Sequence, residues 1–236
     1  MENNLDLSHV TEARFLRNKD LISQASLSGK VTVIGAGGIG SALIQLLAIM
    51  GWKDVTVWDD DTLAPHNLST TTYQPKYLGK DKSLVAFETF REFSDKSQKI
   101  FRKSMRWYPQ DPISPRVFLG PDNMETRLQV YKDWVKLPNR EFLIDIRMGA
   151  LGMEIITVTK KDDNYMDTWK DGNEIEDEVC TMKHTIFTAN IVAGFGINQA
   201  FCFLQNIPYY SYINISLAPL FITNEGLTVS KINLKR

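Results

Sequence analysis

The residues best suited to chemistry form a glycine-rich turn between a predicted strand and a predicted helix. The turn contains Gly35, Gly37, Gly38 and Gly40. It follows an apolar strand predicted at 31–34 and precedes an apolar run at 42–50 that ends before Gly51. Glycines let the backbone approach a phosphate closely, and the free amides at the start of a helix attract its negative charge. The strand, turn and helix together predict a nucleotide-binding site.

An acidic cluster follows the next predicted strand, at 55–58. Asp59, Asp60 and Asp61 end that strand. Asp59 lies about twenty residues beyond the glycines, where an acid typically hydrogen-bonds the ribose hydroxyls of a nucleotide. Strand, helix and strand in this order form a βαβ unit. Two strands joined by a crossover helix are normally parallel. The unit alone is as typical of a dinucleotide-dependent dehydrogenase as of an ATP-dependent enzyme.

Further elements must hold this turn and these acids in place. Helices are predicted at 82–93, 125–135 and 186–204, and strands at 117–119, 142–146, 154–159, 212–216 and 227–232. Strands that alternate with helices indicate the α/β class. We predict a Rossmann-like parallel sheet flanked by helices, with additional strands in the C-terminal half.

Composition excludes several classes of protein. The chain has 236 residues, with 27 basic and 28 acidic side chains, so it lacks the basic excess of a nucleic-acid binder. Two cysteines, Cys180 and Cys202, cannot form a disulfide framework or a four-thiolate zinc site. No signal peptide is visible at the N-terminus, and polar residues interrupt the apolar run 186–204, which favours a buried helix over a membrane span. We therefore expect a cytoplasmic protein.

Five motifs in a fixed order resemble a known family. The glycine turn is followed by the pair Asp59 and Asp61, by Asn67-Leu68, by Gly79 to Lys82, and by Asp122 to Arg127. In this order and spacing the chain resembles the ubiquitin-activating-enzyme-like adenylyltransferases of the ThiF/MoeB type, in particular compact members from phages and bacteria. The resemblance is good over 31–90, fair over 117–147 and thin beyond.

The resemblance implies ATP and Mg²⁺ as cofactors and assigns roles to single residues. It implies that Asp59 holds the ribose, that Asn67 and Lys82 contact the triphosphate, and that Asp122 holds or orients Mg²⁺. It further implies that Arg17 reaches a phosphate in the neighbouring subunit of a homodimer, with Arg14 as the alternative. The family arginine two residues after Asn-Leu is replaced by Thr70.

The second half carries two further segments that resemble compact family members. One runs from Asp145 to Gly149. Its Arg147 either pairs with a carboxylate of the acceptor or forms a structural ion pair with Asp145 or with the acidic loop at 161–178. The other begins at Cys180, which is either a nucleophile that carries a thioester or an inert thiol. Neighbouring cations would activate this thiol, whereas the acids at 176–178 oppose activation.

The resemblance implies adenylation of the C-terminal carboxylate of a small ubiquitin-like or sulfur-carrier protein. We predict a single domain over 1–236, with a nucleotide-binding part at about 28–150 and an acceptor and dimer part at about 151–236. An NAD(P)-dependent oxidoreductase would explain the glycines and Asp59, but not Asn67, Lys82 and Asp122 together. A non-catalytic nucleotide-binding scaffold is favoured by Thr70, because a threonine cannot neutralise phosphate charge.

Overall fold

The computed structural model describes residues 13–169 and 185–228. Its strands are β1 Lys30–Ile34, β2 Asp54–Trp58, β3 Lys99–Lys103, β4 Arg116–Leu119, β5 Phe142–Gly149, β6 Gly152–Thr159, β7 Tyr209–Leu217 and β8 Leu220–Thr228. Its α-helices are α1 Gly38–Met50, α2 Lys82–Phe93, α3 Met124–Trp134 and α4 Ile186–Leu204. Short 3-10 helices occupy Pro65–Asn67, Pro75–Tyr77 and Tyr165–Thr168.

All eight strands form one sheet, in the order β3-β2-β1-β4-β5-β6-β7-β8. The pairs from β3 to β5 are parallel, and those from β5 to β8 are antiparallel. The chain moves outward from β1 in one direction and then returns to add β4 beside β1 on the other side. The carboxyl ends of β1 and β4 therefore meet at a topological switch point, where ligands of such sheets bind.

Alternating side chains place an apolar core on each face of the sheet. On one face, β-strand residues such as Val33, Phe118 and Ile144 pack with apolar residues of α1, α2 and α4. On the other face, Leu119 and Leu143 pack with residues that include those of α3. This period of two explains why single strands contribute to both cores.

Helix α4 occupies the span predicted for a buried helix. It packs against α1 and strands β5 to β7. Within the described ranges it is the one helix long and apolar enough to cross a membrane by length and composition, and 44% of its apolar window is buried inside the protein.

Two strands differ from the expectation. Strand β3 was not expected, because it is an edge strand of charged and exposed residues with a single buried position, Ile100. Strand β8 begins at Leu220 rather than at 227, and its first eight residues are exposed, so it lacks an alternating pattern. Positions 229–232 of the predicted last strand lie outside the described residues.

Candidate nucleotide-binding site

The glycine turn lies at the switch point, between β1 and α1. Gly35 has a φ of 89°, and a Cβ there would lie 2.9 Å from the carbonyl carbon of Gly120. The amide of Gly120 in turn donates to the carbonyl of Ile34. Gly35 is therefore required both by its left-handed backbone and by the close approach of the segment that follows β4.

The start of α1 offers backbone donors to an anion. Its N-cap is Gly37, and no side chain caps the helix. The first amides of a helix have no acceptor within the helix, and the helix dipole makes this end positive. Gly37 has no atom within 4 Å of the position its Cβ would take. The turn thus presents amides beside open space, as phosphate binding requires.

Asp59, at the end of β2, is hydrogen-bonded to the glycine turn. One of its carboxylate oxygens, Oδ2, accepts a hydrogen bond of 2.6 Å from the amide of Ala36, and Oδ1 accepts one of 2.9 Å from the amide of Asp61. Burial raises the pKa of Asp59, while these two bonds and the charge of Lys82 act in the opposite direction. The carboxylate therefore lies at the glycine turn.

Lys82 is brought to the same strand end by the first turn of α2. Its Nζ lies 2.8 Å from Oδ2 of Asp61, and its amide donates to the carbonyl of Asp61. The lysine side chain is 10% exposed, whereas that of Asp61 is 64% exposed. The ammonium is thus held in a defined position next to Asp59 and the turn.

The loop between β2 and α2 contains the remaining predicted triphosphate contact, Asn67. Its Oδ1 accepts a hydrogen bond of 2.9 Å from the amide of Ala64, which leaves its Nδ2 outside this turn. The hydroxyl of Thr70 donates to the carbonyl of Asn67 at 3.2 Å. Thr70 therefore stabilises its own loop rather than supplying a cation.

Two residues of the site were missed in the sequence. The hydroxyl of Tyr73 donates to the carbonyl of Ala36 at 2.9 Å, and that of Ser41 accepts from the amide of Thr72 at 3.1 Å. Both bonds tie the loop that contains Asn67 to the glycine turn. Ser41 ends the glycine motif and could have been recognised, but a lone tyrosine 37 positions from its partner gives no local signal.

The segment after β4 carries Asp122 and Arg127. Asp122 is exposed and lies two residues beyond Gly120, which packs against Gly35. Arg127 is buried and donates to Asp145 and to the carbonyls of Pro121 and Ile146. Arg127 thereby fixes the turn that presents Asp122.

The other predicted residues lie elsewhere. Arg14 donates to the carbonyls of Ala48 and Phe93, so it ties the N-terminal segment to α1 and α2, and Arg17 is exposed. Of the two roles left open for Arg147, the structure shows the ion pair: its Nη2 lies 2.8 Å from Oδ2 of Asp145. Cys180 lies outside the described residues.

Asp122 is the predicted metal ligand. Within 13–169 and 185–228, no group of three or more histidine, cysteine, aspartate or glutamate side chains is arranged to hold a metal. Mg²⁺ commonly binds through one or two carboxylates together with substrate phosphates and water. The exposed carboxylate of Asp122, close to the glycine turn, fits that kind of site.

Comparison with known proteins identifies the family. The family model described as "ThiF family" matches residues 13–232. The chain belongs to the ThiF family. That family comprises adenylyltransferases of the ubiquitin-activating-like superfamily, as the order of motifs indicated.

Individual relatives of this ThiF-family chain agree with the assignment. The SUMO-activating enzyme subunit 2 of Dictyostelium discoideum is 29% identical over 89 residues, which are 37% of this chain and 13% of that protein. The crystal structure of E. coli MccB with ATP matches with a TM-score of 0.73 at 16% identity, over 93% of this chain and 72% of the other. MccB with MccA matches with a TM-score of 0.74 at 16% identity, over 94% and 73%. Those two structures establish the shared fold.

Proposed function

We propose that this protein adenylates the C-terminal carboxylate of a small ubiquitin-like or sulfur-carrier protein. In this reaction a carboxylate oxygen attacks the α-phosphorus of ATP, the bond to the bridging oxygen breaks, and pyrophosphate leaves. The observation that carries the proposal is the meeting of the uncapped α1 N-terminus, Asp59 and the Lys82–Asp61 pair at one strand end. An NAD(P)-dependent dehydrogenase would explain the glycine turn and Asp59, but not Asn67, Lys82 and Asp122 together.

The residues of the chain divide the work of this step. The amides at the start of α1 bind phosphate oxygens, and Asp59 orients the ribose. Lys82 and the Nδ2 of Asn67 contact the triphosphate, and Lys82 stabilises the negative charge that develops on the leaving pyrophosphate. The enzyme gains rate mainly by holding the carboxylate in line with the α-phosphorus. Asp122 would hold Mg²⁺, which neutralises phosphate charge when bound.

The acceptor is proposed from the relatives. MccB was crystallised with MccA, and the matched eukaryotic proteins are SUMO-activating subunits. The chain matches 13% of the length of the SUMO-activating subunits, so their substrates and partners come to it only as proposals. A peptide or ubiquitin-like tail that ends in a free carboxylate fits both.

Two further parts of the proposal concern Cys180 and the oligomer. Cys180 would take the acyl group from the adenylate as a thioester, and AMP would leave; a labelled acceptor that never forms a thiol-sensitive adduct would contradict this.

A homodimer would bring Arg17 to the partner's phosphate. The half-exposed Phe187 and the partly exposed Ile191 of α4 offer an apolar contact surface. Light scattering that finds a fully active monomer would contradict the dimer.

The test compares Lys82→Met with Lys132→Met in thermal unfolding with Mg-ATP. A ligand at a hundred times its Kd adds about 2.7 kcal/mol. For a chain of this size, each kcal/mol of added stability raises Tm by about 2–4 °C. We expect the parent and Lys132→Met, an exposed lysine of α3, to show the full rise, and Lys82→Met to lose most of it.

The same unfolding measurement tests the oxidoreductase, and an exchange assay tests the scaffold. An equal rise in Lys82→Met would show that Lys82 does not contact the nucleotide. A rise with NAD or NADP instead of Mg-ATP would favour the oxidoreductase. Binding of Mg-ATP without acceptor-dependent exchange of pyrophosphate into ATP would favour the scaffold.

A further inference from the structure

A cavity of about 300 Å³ lies on the antiparallel side of the sheet, away from the glycine turn. Strands β6, β7 and β8 and the 3-10 helix Tyr165–Thr168 form its walls. Three acids line it, Glu154, Asp167 and Glu225. Among the described residues that line it, none is a lysine, arginine or histidine. The ionisable carboxyl groups among its lining residues are therefore not matched by a basic side chain in that lining.

The three carboxylates are not equivalent. Glu154 accepts a hydrogen bond of 2.9 Å from the hydroxyl of Tyr212 and lies 3.6 Å from Nη1 of Arg147, so a cation already balances its charge. Asp167 and Glu225 are exposed and come from two different elements, the 3-10 helix and β8. These two carboxylates set the charge at the opening of the cavity.

The remaining walls suit a long side chain that ends in a charge. Ile156 and Val158 supply apolar surface, and Trp169 and Tyr212 supply aromatic surface. Lysine and arginine bury their hydrocarbon stems against such surfaces while the charged end stays near water. Aromatic rings also attract ammonium and guanidinium groups. The volume lies at the low end for ligand sites, which suits one side chain rather than a nucleotide.

The protein itself holds a guanidinium beside this cavity. The Cζ atom of Arg147 lies 5.8 Å from the ring centroid of Tyr165, and the same guanidinium pairs with Asp145 and Glu154. Tyr165 and Glu154 both line the cavity. Acid and aromatic groups of this region thus already bind one guanidinium from within the chain.

We propose that the cavity binds an arginine or lysine side chain of the acceptor protein, and that Asp167 and Glu225 select for its positive charge. The proposal rests on the proposed function only for the source of the cation. The cation site itself follows from the lining of the cavity. It predicts that the acceptor carries a basic residue in the segment that reaches strands β6 to β8.

The experiment titrates the protein with the blocked peptide acetyl-Gly-Arg-Gly-amide and with the same peptide carrying citrulline. Citrulline keeps the shape of arginine and removes its charge. Binding is followed by the NMR resonance of the Trp169 indole, assigned with Trp169→Phe. We expect the arginine peptide to shift this resonance, and the citrulline peptide to bind at least fivefold more weakly.

Two variants complete the test. The double variant Asp167→Asn, Glu225→Gln should weaken binding of the arginine peptide at least fivefold, and Asp20→Asn, an exposed acid elsewhere, should leave it unchanged. Both should keep the rise in Tm with Mg-ATP. Equal binding of the citrulline peptide, or unchanged binding to the double variant, would overturn the cation site.

The source of the cation is tested separately. N-Acetylagmatine has the same single charge as the blocked peptide but lacks its backbone; tenfold tighter binding of N-acetylagmatine than of the arginine peptide would overturn the acceptor as the source and indicate a small guanidine. Loss of the Mg-ATP response in the parent, with selective binding of arginine retained, would overturn the proposed adenylation and leave the cation site standing.

Discussion

Lys82 lies at the boundary between the sheet and solvent. Its side chain is almost buried, whereas its partner Asp61 is largely exposed. Water can hydrate the exposed carboxylate of Asp61 when it leaves the ammonium, whereas the nearly buried ammonium needs another negative partner, which a phosphate supplies. Asp61 can therefore release Lys82 to a phosphate at small cost. The pair positions the ammonium without sequestering it.

Thr70 marks the place where a positive charge is missing. We predict that Thr70→Arg tightens the Kd for Mg-ATP by about tenfold, because a hydrogen bond to a charged group contributes about 1.5–3 kcal/mol and some of that is lost to ordering the side chain. Calorimetric titration measures the Kd. Ser69→Arg adds the same charge at the neighbouring exposed position and is the control. Equal tightening in both variants would indicate a general charge effect and contradict a specific contact at position 70.

Tyr212 couples stability to alkaline pH. Burial, followed by the hydrogen bond donated to Glu154, raises the pKa of Tyr212 from 10.0 to about 12. Between pH 10 and 12 the unfolded chain loses this proton while the folded chain keeps it, so the free energy of unfolding falls as pH rises through that window. We predict that the free energy of unfolding of Tyr212→Phe, measured by urea unfolding, falls less steeply than that of the parent between pH 10 and 12. Tyr108→Phe, at a largely exposed tyrosine, should keep the parent slope, and a parent slope in Tyr212→Phe would contradict the prediction.

At the scale of elements, the junction of β1 and α1 contains one glycine required for packing and another that leaves space for a ligand. A Cβ on Gly40 would overlap the carbonyl oxygen of Gly35, whereas a Cβ on Gly37 would meet no atom within 4 Å. The two glycines thus have different reasons for being small. Gly40 allows the helix to pack against the turn, and Gly37 leaves room beside the free amides.

We predict opposite outcomes for two alanine variants in this turn. Gly40→Ala should lower the free energy of unfolding by about 2 kcal/mol or more, because the backbone must shift to relieve the overlap. Gly37→Ala should unfold within about 0.5 kcal/mol of the parent but bind Mg-ATP at least tenfold more weakly. Urea unfolding and calorimetric titration measure both quantities. A Gly37→Ala variant with the parent Kd would show that phosphate does not approach that glycine.

The sequence predicts some of these elements better than others. The unit from β1 to β2 and helix α4 are confirmed, because their apolar residues recur at the spacing of buried elements. Strands β3 and β8 lie at the two edges of the sheet and carry exposed residues, so periodicity does not reveal them. Motif order predicts roles for Asp59 and Lys82, and these roles stay predictions. The contact of Tyr73 with Ala36 depends on the path of a long loop, which no local motif reveals.

At the scale of the whole molecule, Asp145 joins the parallel and antiparallel halves of the sheet. It is fully buried on β5 and pairs with Arg127 of α3 and with Arg147. The hydroxyl of Tyr165 donates to it at 2.9 Å. Through these bonds one carboxylate connects the turn before α3 to the 3-10 helix beside the cavity.

Loss of this carboxylate should destabilise the whole fold. We predict that Asp145→Asn lowers the free energy of unfolding by about 3–5 kcal/mol, because removal of one partner leaves buried guanidinium charge uncompensated. Urea unfolding measures the loss. Glu92→Gln, which removes a carboxylate paired with the exposed Lys76, is the control and should lose less than about 1 kcal/mol. Similar losses in the two variants would contradict the role of Asp145.

The glycine turn is held by bonds made entirely within the protein. The amide of Gly35 donates to Trp58, that of Ala36 donates to Asp59, and Tyr73 donates to the carbonyl of Ala36. The conformational entropy of the turn is therefore lost when the chain folds, and a nucleotide need not order it a second time. The same three hydrogen bonds consequently contribute to nucleotide affinity and to the stability of the fold. Weakening any one of them should lower both the affinity and the free energy of unfolding.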